Sequence, residues 1–241
     1  MITILFLAAN PAGTGQLALG EEVREIDDRL QRARERDQFR LDQAFAVRRR
    51  EIIERIQRHE PTVVHFSGHG SERGELIFET EGGKPAPAST EALGDIFRIL
   101  APRSGIRCVV LNACYSEAQA RAISQHVDCV VGMGRAISDS AALEFASQLY
   151  SSLAYGSSIK DAFELACVSL DLARIPESDT PRLLSRPGVD AGSLFLAERR
   201  GGRAAATGAT AAPAVTQHIH GDNATVAGRD VVIGVEKRNP S

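Results

Sequence analysis

The chain has 241 residues, of which 43% are hydrophobic, and a formal net charge of −3 from 28 Lys and Arg against 31 Asp and Glu. This length and apolar content suit one sizeable α/β domain plus an appendage, and the near-neutral balance argues against nucleic acid or an anionic membrane as a partner. Four cysteines, Cys108, Cys114, Cys129 and Cys167, show no CxxC or metal-ligand spacing, so no metal centre is expected and a reducing, cytoplasmic setting fits.

Ile2 to Ala9 is apolar but far too short to span a bilayer, and no Lys or Arg precedes Arg24. It reads as a first strand rather than a signal peptide or membrane segment. Asn10-Pro11-Ala12-Gly13-Thr14-Gly15 follows with only scattered glycines. That argues against a phosphate-binding loop, and no cofactor is expected. From Leu17 the period changes: Leu19, Val23, Ile26, Leu30 and Ala33 recur at steps of four and three, one face of a helix. The Glu, Asp and Arg between them read as its solvated side. Phe39 to Val47 is expected as a second strand. Arg48-Arg49-Arg50 opens a helix through Ile52, Ile53 and Ile56, closed by Pro61.

Thr62 to Ser67 is a β-branched run that stops at Ser67-Gly68-His69-Gly70. Glu75 to Glu79 is one arm of a short β excursion, and Gly82 to Pro87 a turn-rich connection. Thr90 caps a helix from Glu91 to Leu100, stopped by Pro102. A second apolar strand, Cys108 to Asn112, ends abruptly in Ala113-Cys114-Tyr115-Ser116. A helix (Glu117 to His126), a buried strand (Cys129 to Gly132) and helices at Ser140 to Tyr155 and Ile159 to Ala173 complete the pattern. Strands alternating with helices imply a mostly parallel sheet flanked by helices on both faces.

Working residues of such sheets sit at the carboxyl ends of strands. Here two strand ends present a histidine, His69, and a thiol, Cys114. A thiolate is a strong nucleophile, and imidazole can take and return a proton near neutral pH. Backbone N–H groups at Gly70 and Cys114 are candidates for holding an oxyanion, and the glycines allow close backbone approach. His65 lies inside the strand, at opposite parity to Val64 and Phe66, and is expected to pack or hydrogen-bond. Cys108, Cys129 and Cys167 fall in apolar segments, where cysteine behaves as a small hydrophobe. No role attaches to Asn112, Tyr115 or Ser116.

The Ser67-Gly68-His69-Gly70 and Asn112-Ala113-Cys114-Tyr115-Ser116 motifs, each closing an apolar strand, resemble those of the CHAT proteases, bacterial relatives of caspases and separases. The resemblance covers Ile2 to Leu196. It implies a caspase-like α/β fold and a cysteine endopeptidase with a His69–Cys114 dyad acting on a protein substrate. The alternative is a catalytically silent scaffold. In caspase-like proteases that cut after basic residues, an acidic residue follows the strand after the nucleophile. Asp139 occupies the similar place here, which implies substrate binding, although Asp139 or Ser138 serves equally well as a helix cap.

Boundaries follow from composition. Residues 1–198 are read as the protease domain and 199–214, rich in Gly, Ala and Arg, as a flexible linker. Residues 215–241 hold short β-prone runs broken by Gly221-Asp222-Asn223 and Gly228-Arg229-Asp230. That segment resembles the amyloid-like signalling motifs found beside bacterial immune effectors. The resemblance implies self-assembly or a sensor partner engaged through 215–241, with a passive tail as the plain alternative.

Overall fold

The structure is a computed structural model that describes residues 1–198; the linker and tail expected at 199–241 lie outside the described residues. Its frame is a sheet of six strands in the order β2-β1-β3-β6-β7-β8. The strands are β1 (Ile2–Ala9), β2 (Phe39–Ala44), β3 (Val63–Gly70), β6 (Cys108–Asn112), β7 (Cys129–Met133) and β8 (Pro181–Ser185). All pairings along this path are parallel except β7 with β8. β4 (Leu76–Glu79) and β5 (Pro85–Ala88) form an antiparallel hairpin hung on the end of β3.

Parity decides what each face of the sheet buries. Ile4, Phe6 and Ala8 of β1 enter one core with Val63, Cys108, Val110, Cys129 and Val131. Leu5, Leu7 and Ala9 enter a second with Val64, Phe66, Val109, Leu111 and Val130. Strands buried on both faces read as continuous apolar runs, which is why these strands were legible in the sequence. Helices α1 (Leu19–Arg32), α5 (Asp139–Ala154) and α6 (Ile159–Leu172) cover the first core. Helices α2 (Ile52–His59), α3 (Thr90–Ser104) and α4 (Glu117–Ile123) cover the second.

Several boundaries differ from expectation. β3 runs on through His69 to Gly70, because residues past Gly68 leave β1 and pair with β4 instead. Pro85–Ala88, expected as a connection, is a strand at the hairpin's outer edge, where prolines are tolerated because no ladder donor is required of them. Ser89 rather than Thr90 caps α3, its Oγ accepting the Ala92 N–H at 3.2 Å. α3 continues past Pro102 to Ser104 and ends at Gly105, φ 72°. The carbonyl that Pro102 leaves without a donor belongs to Arg98, on the exposed side where water can serve it. β8 was not expected at all. The solvated face of α1 is also corrected at one place: Glu22 is buried, at 4% exposure.

Candidate active site

Helix α1 leads from β1 out to β2, while β3 lies on the other side of β1. The crevice where connections diverge in this way is where open α/β sheets place their sites. Three strand ends meet there, contributing Asn10 after β1, His69 in β3 and Cys114 two residues beyond β6. His69, Cys114 and Asp139 line one cleft, with Glu22, Ser67 and Asn112 also on its wall. All three residues singled out from the sequence for their side chains are therefore brought together, and Gly70 stands beside them.

The histidine is held from one side. Its Nε2 lies 2.7 Å from the Gly15 carbonyl oxygen and 3.2 Å from Asn10 Oδ1. A carbonyl oxygen only accepts, so Nε2 carries the proton and the neutral ring's lone pair sits on Nδ1. The loop that supplies Gly15 is anchored in turn to the β4–β5 hairpin. The Ala12 N–H donates to the Gly83 carbonyl at 2.8 Å, and the Asn10 N–H to Glu79 Oε1 at 3.1 Å. No third partner for the histidine was assigned from the sequence: the nearer one, Gly15, acts through a backbone carbonyl, which leaves no residue-type signal.

The thiol is half-buried and faces the loop after β7, with the Ile137 N–H donating to Sγ at 3.4 Å. The turn after it is tight: Tyr115 sits at φ 57°, a conformation that a bulky side chain rarely adopts. Ser116 locks that turn to two strands. Its Oγ donates to the Leu111 carbonyl and accepts the Met133 N–H, both at 2.9 Å. Gly70 presses directly on this turn, since a Cβ there would lie 1.8 Å from the Cys114 carbonyl oxygen. In the β3–β4 ladder the Ser71 N–H pairs with the Glu75 carbonyl, while the Leu76 N–H turns to Gln119 Oε1. Antiparallel alternation therefore points the Gly70 N–H away from β4.

Ser138 takes the cap of α5, its Oγ accepting the Ala141 N–H at 3.3 Å, and Glu177 holds Ser138 by N–H and Oγ at 2.9 and 2.6 Å. Asp139 is the next residue, exposed at the mouth of the cleft. His65 is fully buried and stacked on Phe6, with Nδ1 3.0 Å from Tyr150 Oη and Nε2 3.0 Å from Glu22 Oε1. The Glu22 carboxylate also accepts from Ser67 Oγ and from Asn112 Nδ2, the latter at 2.7 Å. Neither Glu22 nor Asn112 was assigned a role from sequence. The available signal was position, since Glu22 stands three residues after Leu19 and four before Ile26, on the apolar face. Among the described residues no group of three or more His, Cys, Asp and Glu is placed to hold a metal ion. No helix there is long and apolar enough to cross a membrane.

The same architecture is found in cysteine proteases of known structure. Gingipain R, an Arg specific cysteine proteinase, superposes with a TM-score of 0.52 at 10% identity, over 77% of this chain and 46% of that one. Caspase-1 from Spodoptera frugiperda gives 0.50 at 14% identity over 76% and 85%, and the Drosophila initiator caspase Dronc 0.50 at 6% over 80% and 84%. The fold is caspase-like α/β, as the motifs implied. Residues 8–182 match the CHAT domain, and the chain belongs to that family. It is 26% identical over 153 residues to a probable protease of Gillisia limnaea, covering 64% of this chain and 27% of that protein. It is 29% identical over 178 residues to a Roc-COR-CHAT protease of an unknown prokaryotic organism, covering 72% and 17%. The match thus spans about a quarter or less of the length of these curated relatives.

Proposed function

We propose that the protein is a cysteine endopeptidase in which Cys114 is the nucleophile and His69 the general acid and base. The observation that carries this is the convergence of the two side chains in one cleft, with Nε2 of His69 committed to the Gly15 carbonyl and Nδ1 left to exchange a proton. His69 Nδ1 takes the thiol proton as Sγ attacks the scissile carbonyl carbon. The N–H groups of Gly70 and Cys114 receive the oxyanion. The tetrahedral intermediate collapses as His69 returns the proton to the leaving amine, and water, activated by the same imidazole, hydrolyses the thioester.

Cleavage after Arg or Lys is supported by Asp139 at the cleft mouth and by a cleft lining that, among the described residues, holds no Lys or Arg. The motif resemblance of residues 215–241 supports an effector of a bacterial immune or regulated-death system, activated when those segments assemble and raise the local concentration of protease domains. The test is a fluorogenic peptide panel varied at the residue before the scissile bond. Cys114→Ala and His69→Ala are each expected to lower kcat/KM by about a thousandfold or more at unchanged circular dichroism. Either variant keeping a tenth of wild-type turnover would remove the dyad. A folded wild type in which no chloromethyl-ketone probe reaches Cys114 would instead be the silent scaffold.

A further inference from the structure

The loop after β7 makes contacts with the thiol that proton transfer to His69 does not use. Ile137 presents both of its backbone groups to Cys114: its N–H donates to Sγ at 3.4 Å, and its carbonyl accepts from Sγ–H at 3.6 Å. The two contacts suit different states of the sulfur. A carbonyl oxygen only accepts, so it matches the thiol. An N–H only donates, so it matches the thiolate, to which its bond is charge-assisted and stronger. Ile137 serves Cys114 in this way only while the loop keeps its place.

The loop is held by the turn between α6 and β8. Glu177 accepts the Ser138 N–H at 2.9 Å on one carboxylate oxygen and Ser138 Oγ–H at 2.6 Å on the other, and Ser138 directly follows Ile137. The start of the loop meets the same turn, with the Gly134 N–H donating to the Thr180 carbonyl at 2.9 Å and Arg135 Nε to Thr180 Oγ1 at 3.3 Å. The turn is itself braced. The Ile175 N–H donates to the Leu170 carbonyl at 2.8 Å, the Thr180 N–H to the Glu177 carbonyl at 2.9 Å, and Thr180 is fully buried. Capping α5 does not require Glu177, because Ser138 Oγ already accepts the Ala141 N–H.

We infer that Glu177 is a positioning residue for Cys114: by holding Ser138 it keeps the Ile137 N–H aimed at Sγ, where that N–H supports the thiolate. Its part in turnover rests on the peptidase function proposed above, whereas its part in thiol reactivity does not. Glu177 does not line the cleft and acts through Ser138 and Ile137.

The rate at which iodoacetamide alkylates Cys114 in the full chain, followed against pH by peptide mass spectrometry, reads the thiolate without requiring turnover. Glu177→Ala is expected to slow alkylation at pH 7 about fivefold and to move the midpoint of the profile up by about 0.7 pH unit. In the peptide panel its kcat should fall about fivefold while KM stays within about twofold. Glu177→Gln keeps an oxygen that accepts from Ser138 and should lose no more than about twofold. Both variants remove the Glu177 charge, and both keep the charged side chains that line the cleft with Cys114, namely His69 of β3, Glu22 of α1 and Asp139 of α5. The difference between them therefore reads the hydrogen bonds to Ser138. A folded Glu177→Ala with the wild-type alkylation profile would overturn the inference, even if its melting temperature or turnover fell. Faster alkylation would overturn it too, because the turn would then shield the thiol. If Glu177→Ala does not fold, Ser138→Ala, which gives up one of the two bonds to Glu177, is expected to slow alkylation about twofold, and an unchanged rate would refute the positioning role. Glu177-dependent alkylation in a protein that cuts no peptide would retain the positioning role and discard the peptidase. Peptide cleavage with alkylation indifferent to Glu177 would do the reverse.

Discussion

Thiol reactivity separates the cysteines one residue at a time. Cys108 and Cys129 are buried, and desolvation raises both thiols. Cys167 is half-buried, and burial pushes its thiol up to about 11. At pH 8 only about one Cys167 in a thousand is therefore thiolate. Limited iodoacetamide treatment, read by peptide mass spectrometry, is expected to modify Cys114 well before Cys167, and first labelling at Cys167 would contradict this order. The paired residues Ser138 and Asp139 divide in the same way. Ser138→Ala removes the cap of α5 and should cost about 1 kcal/mol of stability. Asp139→Ala should leave the melting temperature nearly unchanged while lowering kcat/KM for basic substrates about three- to fivefold. A stability loss at Asp139 with no kinetic change would assign it to the helix alone.

At the scale of elements, the glycines separate close contact from mere flexibility. A Cβ at Gly132 in β7 would meet Ala120 Cβ of α4 at 2.7 Å and the Ser116 carbonyl oxygen at 3.2 Å, so strand and helix approach more closely than any side chain permits. Gly132→Ala is expected to cost about 1–3 kcal/mol in denaturant unfolding. Gly94, inside α3, has nothing nearer than Ala122 Cβ at 3.5 Å, an ordinary contact. Gly94→Ala should therefore stabilise by about 0.5–1 kcal/mol, because helix propensity rises and nothing clashes. If both variants destabilised equally, the spacing between α3 and α4 would not be as described.

For the whole molecule, alkaline pH probes the first core. Desolvation raises Cys108 and Cys129 above the ordinary 9.0 and Tyr150 well above 10.0. Each folded-state value lies above its unfolded one, so the native protein holds protons that the unfolded chain releases. Stability is then fully present below about pH 9 and declines as pH rises through the raised values. The melting temperature should fall measurably between about pH 9 and 10.5, and Cys108→Val should make that fall shallower. An unchanged slope would place the alkaline transition elsewhere. The segment 215–241 is tested apart from this core. Fused to a fluorescent carrier it is expected to form thioflavin-positive fibres, and a fusion that stays monomeric with seeds would make the tail passive.

Elements with a decisive residue pattern of their own could be read directly from the chain. β1 and β6 have the limits expected of them, and the apolar stripe Leu19, Val23, Ile26 and Leu30 of α1 is buried, as is Ala33 just past its end. His69 and Cys114 were legible because two apolar runs stop at reactive residues flanked by small ones. Tertiary structure alone decided the rest. β8 is a short edge strand, and its pattern became a strand only because β7 offered an open edge. Gly15 supplies a carbonyl, which every residue has, so only the path of its loop could single it out. Glu22 looked like one more charge on an acidic helix until α1 was laid across β3 and β6, where His65, Ser67 and Asn112 surround it. Periodicity reports how a residue relates to its own element, whereas a buried charge depends on what other elements bring to it.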